Sequence, residues 1–173
     1  QISLGYLLST QATNEANQYA LEKGLPNADF NEADAYRHFV WNYKLTDTMG
    51  AEVAEKIATA HEISFLRLHN WVWYVTDSSS SLRDAFIPSS MLMDLWNNAM
   101  GRSAKLYGGF ENSDKAFRSC LQQGMIATTP DEGIKKYGLS YLGIAERRFG
   151  DNEPIWGVET RFTYSNGKMS GFY

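Results

Sequence analysis

Residues 31–42, NEADAYRHFVWN, decide how the rest of the chain is read. Asn31 is a favourable N-cap and Glu32 suits the positive end of a helix, so the run reads as a helix from Asn31 toward Gly50. On that helix Asp34, Arg37, His38 and Trp41 recur at i, i+3 and i+4 spacing and share one side. A core-facing stripe would be mostly aliphatic, and a solvent-facing one has little use for Trp beside His. The stripe reads as part of a polar site.

Working outward, most of the chain carries helix signals. STQATNEANQYALEKGLP offers Ser9 or Thr10 as N-cap, Gly24 after the last turn and Pro26 beyond it. From Ala51, AEVAEKIATAHEISFLRL places Val53, Ile57 and Ala60 at helical spacing, with His61 and Glu62 toward the end. Ser89 or Ser90 caps SSMLMDLWNNAMGRSAKLYGG, which stops at Gly108-Gly109, and Asn112 or Ser113 caps NSDKAFRSCLQQG. Thr129-Pro130 opens another helical stretch, in which Gly133, Gly138 and Gly143 argue against one continuous helix. Between these, WVWYVT reads as a short strand or a buried extended loop, followed by serines 78–81 as a loop or a lid. The tail alternates around Asn166-Gly167, the signature of a two-residue hairpin over 158–173. The expected fold is a single mainly α domain over 1–173, with a motif core at 31–107 and a small C-terminal β-hairpin.

Composition narrows the function classes. The chain has 173 residues, 43% of them hydrophobic, enough for one ordinary core and short for two. A net charge of −4 is the wrong sign for holding a phosphate backbone mainly by Lys and Arg, so nucleic acid is a less favoured partner. A metal ion would supply positive charge locally and keeps a nuclease in view. The single cysteine, Cys120, gives no internal disulfide and no metal knuckle, and reads as a packed thiol. No run is long and apolar enough to be a transmembrane segment. The start, QISLGYLLSTQ, lacks the basic opening of a signal peptide, consistent with a mature product or an excised domain.

Three clusters carry chemistry. Asp34 precedes His38 by four positions, so its carboxylate can hold one imidazole nitrogen while the other meets substrate or metal, with Arg37 nearby to orient Asp34 or bind an anion. His61 and Glu62 are adjacent and diverge by about 100°, so both serve one site only where they flank a cleft or end a helix. In MDLWNNAMGR, Asp94, Asn97 and Asn98 share a face away from Met91, Leu95 and Met100, and two interior Asn residues cost stability unless used. Gly101, just beyond, allows close approach of another backbone or a ligand. Each cluster alone has a plainer reading: an i,i+4 ion pair, a His packed beside a surface Glu, an Asn satisfying backbone. Their convergence from three helices is what points to a site.

Two chemistries fit. In one, His38, His61 and Asp94, with Glu62 in support, hold a divalent metal ion that activates water. In the other, Glu62 acts as general acid on a glycosidic bond with Asp34, Asp77 or Asp94 as partner. Trp71, Trp73 and Tyr74 would stack on sugars or bases, or equally pack in a core.

DAYRHFVWN, AHE and MDLWNNAMGR, in that order over residues 33–102, resemble an uncharacterised bacterial domain family. Its blocks run approximately D-A-[FY]-R-H-x-x-W-N, H-E and D-L-H-N-N-x-x-G-R. The resemblance singles out Asp34, Arg37, His38, Trp41, His61, Glu62, Asp94, Asn97, Asn98 and Arg102; Trp41 and Arg102 from this set, with Trp73 from the aromatic run, are substrate-binding candidates. Trp96 stands where the pattern has His, and His69 is a candidate substitute. The family's occurrence in exported, phage-associated and toxin-like proteins implies an antibacterial effector, secreted or delivered into a target cell. The expected function is a hydrolase acting on the cell envelope, with a peptidoglycan glycan or a phosphate-linked wall precursor as substrate and a cognate immunity protein as partner. The alternatives are a metal-dependent nuclease-type toxin and a non-catalytic ligand- or ion-binding module.

Overall fold

The computed structural model describes residues 2–26, 30–62, 89–136, 162–165 and 168–171. It is mainly helical. The segment 63–88, with the aromatic run, His69, Trp73, Asp77 and the serines, lies outside the described residues, as do 137–161.

Helix α1 spans Ile2–Lys23. It begins well before the expected caps Ser9 and Thr10, which lie inside it. Threonine hydroxyls inside it bond the preceding turn: Thr10 Oγ1 donates to the Tyr6 carbonyl and Thr13 Oγ1 to the Ser9 carbonyl. The helix ends as expected at Gly24, whose φ of 65° is in the left-handed region. There the Leu25 N–H reaches the Ala20 carbonyl and the Gly24 N–H the Leu21 carbonyl, the Schellman pattern.

Helix α2 spans Glu32–Met49, with the Asn31 side chain accepting from the Ala33 and Asp34 N–H groups. It is buried around most of its circumference, as befits a central helix. Gly50 ends it, and its carbonyl accepts from Ala54 to start α3, residues 51–62. Of the expected apolar positions on α3, Ile57 packs against the core, Val53 is half-buried and Ala60 is exposed. The buried face is Ala54, Ala58 and Glu62, at i,i+4 spacing. Helix α4 spans Ser89–Tyr107, with Ser89 and Ser90 already in its first turn, and stops at Gly108. Helix α5 spans Ser113–Gln122 and is capped by Asn112. Residues 130–136 form α6, opened by Thr129 Oγ1 accepting from the Glu132 N–H. The backbones of β1, Phe162–Ser165, and β2, Lys168–Gly171, pair antiparallel with Ser165 opposite Lys168. The rest of 158–173 is outside the described residues.

Tyr19 of α1 stacks on Tyr36 of α2 at 4.4 Å between ring centroids, and Phe117 of α5 meets Tyr36 and Phe39 edge-on. Cys120 is buried beside this cluster as the packed thiol expected, with desolvation pushing its pKa up to about 12. Helix α4 crosses α2 at Gly101, where a Cβ would lie 2.2 Å from the Phe39 carbonyl oxygen. Only glycine permits that approach. Gly133 packs α6 onto α4 similarly, against the Met93 backbone.

Gly101→Ala should therefore force the α2 and α4 backbones apart. The expected cost is about 3 kcal/mol, read as a melting temperature roughly 6–12 °C lower. An unchanged melting temperature would show that the crossing is not tight.

Candidate functional site

The cap at Asn31 puts Asp34 in the first turn of α2, where the helix dipole favours its carboxylate, and His38 one turn later on the same side. The α2–α4 crossing sets Asp94 and Asn98, themselves one turn apart, against that side. The end of α3 adds Glu62. All are buried or nearly so: the side chains of Asp34, His38, Glu62 and Asp94 are 3%, 5%, 7% and 14% exposed.

His38 is at the centre, and its two ring nitrogens have different surroundings. Nε2 lies 3.5 Å from Asp34 Oδ1 and 3.4 Å from Asp94 Oδ1. Nδ1 lies 3.3 Å from Asn98 Oδ1 and 3.5 Å from Glu62 Oε1. Asn98 links this second side together: its Nδ2 donates to Glu62 Oε1 at 3.2 Å, and its Oδ1 accepts from Asn42 Nδ2 at 2.6 Å. Arg102 in turn donates to Asn42 Oδ1 at 3.0 Å. On the first side, Arg37 Nη2 donates to Asp34 Oδ1 at 2.5 Å, and the Phe30 N–H donates to Asp34 Oδ2 at 2.8 Å. Phe30 holds φ at 69°, a conformation a non-glycine residue rarely adopts, in making that contact.

Burial and charge pull against each other here. Desolvation disfavours the His38 imidazolium, but Asp94, Asp34 and Glu62 together outweigh it and raise the pKa to about 9. Burial raises Asp94 to about 7, with Glu62 and Asp34 adding to the effect and His38 opposing it. Burial also works to raise Asp34. The His38 hydrogen bond and charge, Arg37 and the Phe30 N–H prevail and lower it to about 2. Asp94 Oδ1 is buried and has no hydrogen-bond partner among the described residues. Asp34, His38 and Asp94 each offer one ligand atom, all within 4.8 Å of one another, so this group could hold a metal ion.

The structure regroups the expected residues. Asp34 joins His38 and Asp94 in place of His61, which is exposed and sets its ring edge-on to Trp41, 5.2 Å away. Glu62, the other half of that dipeptide, is the one turned inward. Asn97 is not at the site: its Nδ2 donates to the Ala127 carbonyl and its Oδ1 accepts from the Ala127 N–H. Trp41 is buried and donates to the Gly5 carbonyl, tying α1 to α2, which leaves it no surface for substrate. Arg102 supports Asn42. Trp96 is buried and donates to the Met125 carbonyl, so at this position the chain uses an anchor. Trp73, Asp77 and His69 lie outside the described residues. Asn42 was not among the sequence candidates, although its place four residues after His38 is the signal that would have included it.

These shifts imply a pH dependence of stability in the chelated protein. The His38 contribution is full below 6.5 and lost as the pH rises through about 9. The cost of ionising Asp94 begins near 3.8 and is complete above about 7. Asp34 acts oppositely, present above 3.8 and lost as the pH falls through about 2. The cluster's contribution should thus decline from about pH 4 to about pH 9. Thermal unfolding against pH checks this: His38→Gln should flatten the upper part of the decline and Asp94→Asn the lower. Variants with slopes identical to wild type would contradict it.

No curated protein and no solved structure matches the chain. One family model does, over residues 3–128, a span that takes in α1, α2, α3, α4 and α5 and every residue of the cluster. By that match the chain belongs to the family described as the domain of unknown function DUF6973.

Proposed function

We propose that the chain is a metal-dependent hydrolase in which Asp34, His38 and Asp94 hold a divalent cation that activates water. The observation that carries this reading is the asymmetry around His38. A ligating imidazole presents one nitrogen to the metal and gives the other to a carboxylate or amide that fixes its tautomer. Here Nε2 faces two carboxylates, one with a buried oxygen that has no hydrogen bond among the described residues, with the Arg37 guanidinium 3.1 Å away, while Nδ1 faces Asn98 and Glu62. Glu62 is then a positioning residue. Its burial and its hydrogen bond from Asn98 keep it away from the glycosidic oxygen that the metal-free glycosidase alternative needs it to reach.

The cell envelope as target rests on the resemblance of the three blocks to exported and toxin-like bacterial proteins, and the acidic net charge disfavours nucleic acid. On this reading a secreted or delivered effector meets a peptidoglycan strand or a phosphate-linked wall precursor, with an immunity protein as its counterpart. The near-complete burial of Asp34 and His38 favours a second reading, a non-catalytic ion-binding module.

Chelation followed by separate addition of Zn²⁺, Mn²⁺, Mg²⁺ and Ca²⁺ tests the metal. An ion at about a hundred times its Kd should stabilise the fold by roughly 2.7 kcal/mol, and the gain should vanish in Asp94→Asn. Hydrolysis of isolated peptidoglycan and of a polyprenyl pyrophosphate-linked precursor should fall at least about a hundredfold in the same variant. A metal shift with no hydrolysis of either substrate would favour the binding module. No shift with any ion would remove the metal.

A further inference from the structure

We propose that Arg37 is a built-in competitor for the cation position, and that metal loading releases its guanidinium to bind an anionic phosphate oxygen of the substrate. This rests on the metal-centre reading and deepens it, selecting the phosphate-linked substrate over the glycan strand.

Arg37 Nη2 lies 2.5 Å from Asp34 Oδ1 and 3.1 Å from His38 Nε2, and those two atoms are 3.5 Å apart. A metal ion about 2.1 Å from both of them is confined to a narrow circle around the line that joins them. On the near side of that circle it would overlap Nη2. On the far side it would still lie only about 3.4 Å from Nη2, from the three distances above. A divalent cation and a guanidinium cannot share that space without strong repulsion, because nearly buried surroundings screen charge poorly. The guanidinium now sits where a cation would, donating to the carboxylate with Nη2 also 3.1 Å from His38 Nε2.

What happens to Arg37 on displacement follows from its position. Its side chain is 38% exposed, against 3% for Asp34, so it stands on the solvent side of the cluster. Displaced from the two ligands, the guanidinium has solvent to turn into. A planar fork of N–H donors next to a divalent cation is matched to a phosphate, one of whose oxygens the metal holds while the fork takes another. A neutral glycan offers no such charge. Before metal binds, the three carboxylates and the satisfied Arg37 would repel or ignore a phosphate; afterwards two positive groups face it.

Mn²⁺ and Zn²⁺ titrations of wild type and Arg37→Gln, each in the presence and absence of inorganic phosphate, test this. The expected result is metal affinity at least about tenfold higher in Arg37→Gln. Phosphate should bind metal-loaded wild type, fail to bind the chelated protein and bind metal-loaded Arg37→Gln more weakly. Melting temperature in chelator confirms that the variant is folded, and Arg37→Lys, which keeps the charge but loses the fork, should recover competition with the metal more than phosphate binding. Equal or weaker metal affinity in Arg37→Gln would overturn the competition while leaving the metal centre standing. Tighter metal binding with unchanged phosphate affinity would overturn the role in substrate binding. No metal binding in either protein would overturn the metal-centre reading and this inference together.

Discussion

The contact between Gly101 and the Phe39 carbonyl allows two helices to approach closely enough for their polar faces to meet. Asp94 and Asn98 sit one to two turns before Gly101 on α4, and His38 sits next to Phe39 on α2, so the distance between the backbones at the crossing sets the distances around the imidazole. A side chain at Gly101 would widen that gap. The aromatic packing of Tyr19, Tyr36 and Phe117 on another part of α2 holds the helix from behind and keeps the crossing from relaxing.

The charges brought together this way are a costly way to join two helices. A fold that needed only a tie between α2 and α4 could use apolar residues of similar volume at no greater cost. Instead it gathers carboxylates from three helices about one imidazole, holds Asp94 with its pKa near neutrality, and leaves one buried oxygen without a hydrogen bond among the described residues. A further constraint is orientation. The chain from Arg102 through Asn42 and Asn98 to Glu62 fixes the Nδ1 side of the ring, so that Nε2 always faces Asp34 and Asp94. With one nitrogen fixed and two carboxylates crowding the other, the position suits a positive charge, and the Arg37 guanidinium stands there now.

What could be read in the sequence was local. Asn31, Asn112, Gly24, Gly50 and the Gly108-Gly109 pair mark helix ends because a cap or a positive φ is decided by the residue itself. The Ser9 and Thr10 caps failed because a hydroxyl inside a helix can bond the preceding turn, leaving no local mark of which role it takes. Spacing also joined Asp34 to His38 and Asp94 to Asn98. It could not divide adjacent pairs. His61 and Glu62, like Asn97 and Asn98, point about 100° apart, and which member faces inward depends on where the neighbouring helix lies. Glu62 and Asn98 turn to the imidazole, whereas His61 meets Trp41 and Asn97 clamps Ala127. Asp34 does hold one imidazole nitrogen, Nε2, as the i,i+4 spacing suggested, but that Glu62 and Asn98 face the other nitrogen depends on tertiary packing that spacing does not show.

Anomalous diffraction from crystals grown with Mn²⁺ or Zn²⁺ would test the central claim most directly. A single peak is expected about 2.0–2.2 Å from one oxygen each of Asp34 and Asp94 and from His38 Nε2, with Arg37 turned away from both ligands. Crystals that bound neither metal in this cluster, or that bound it at His61 instead, would contradict it.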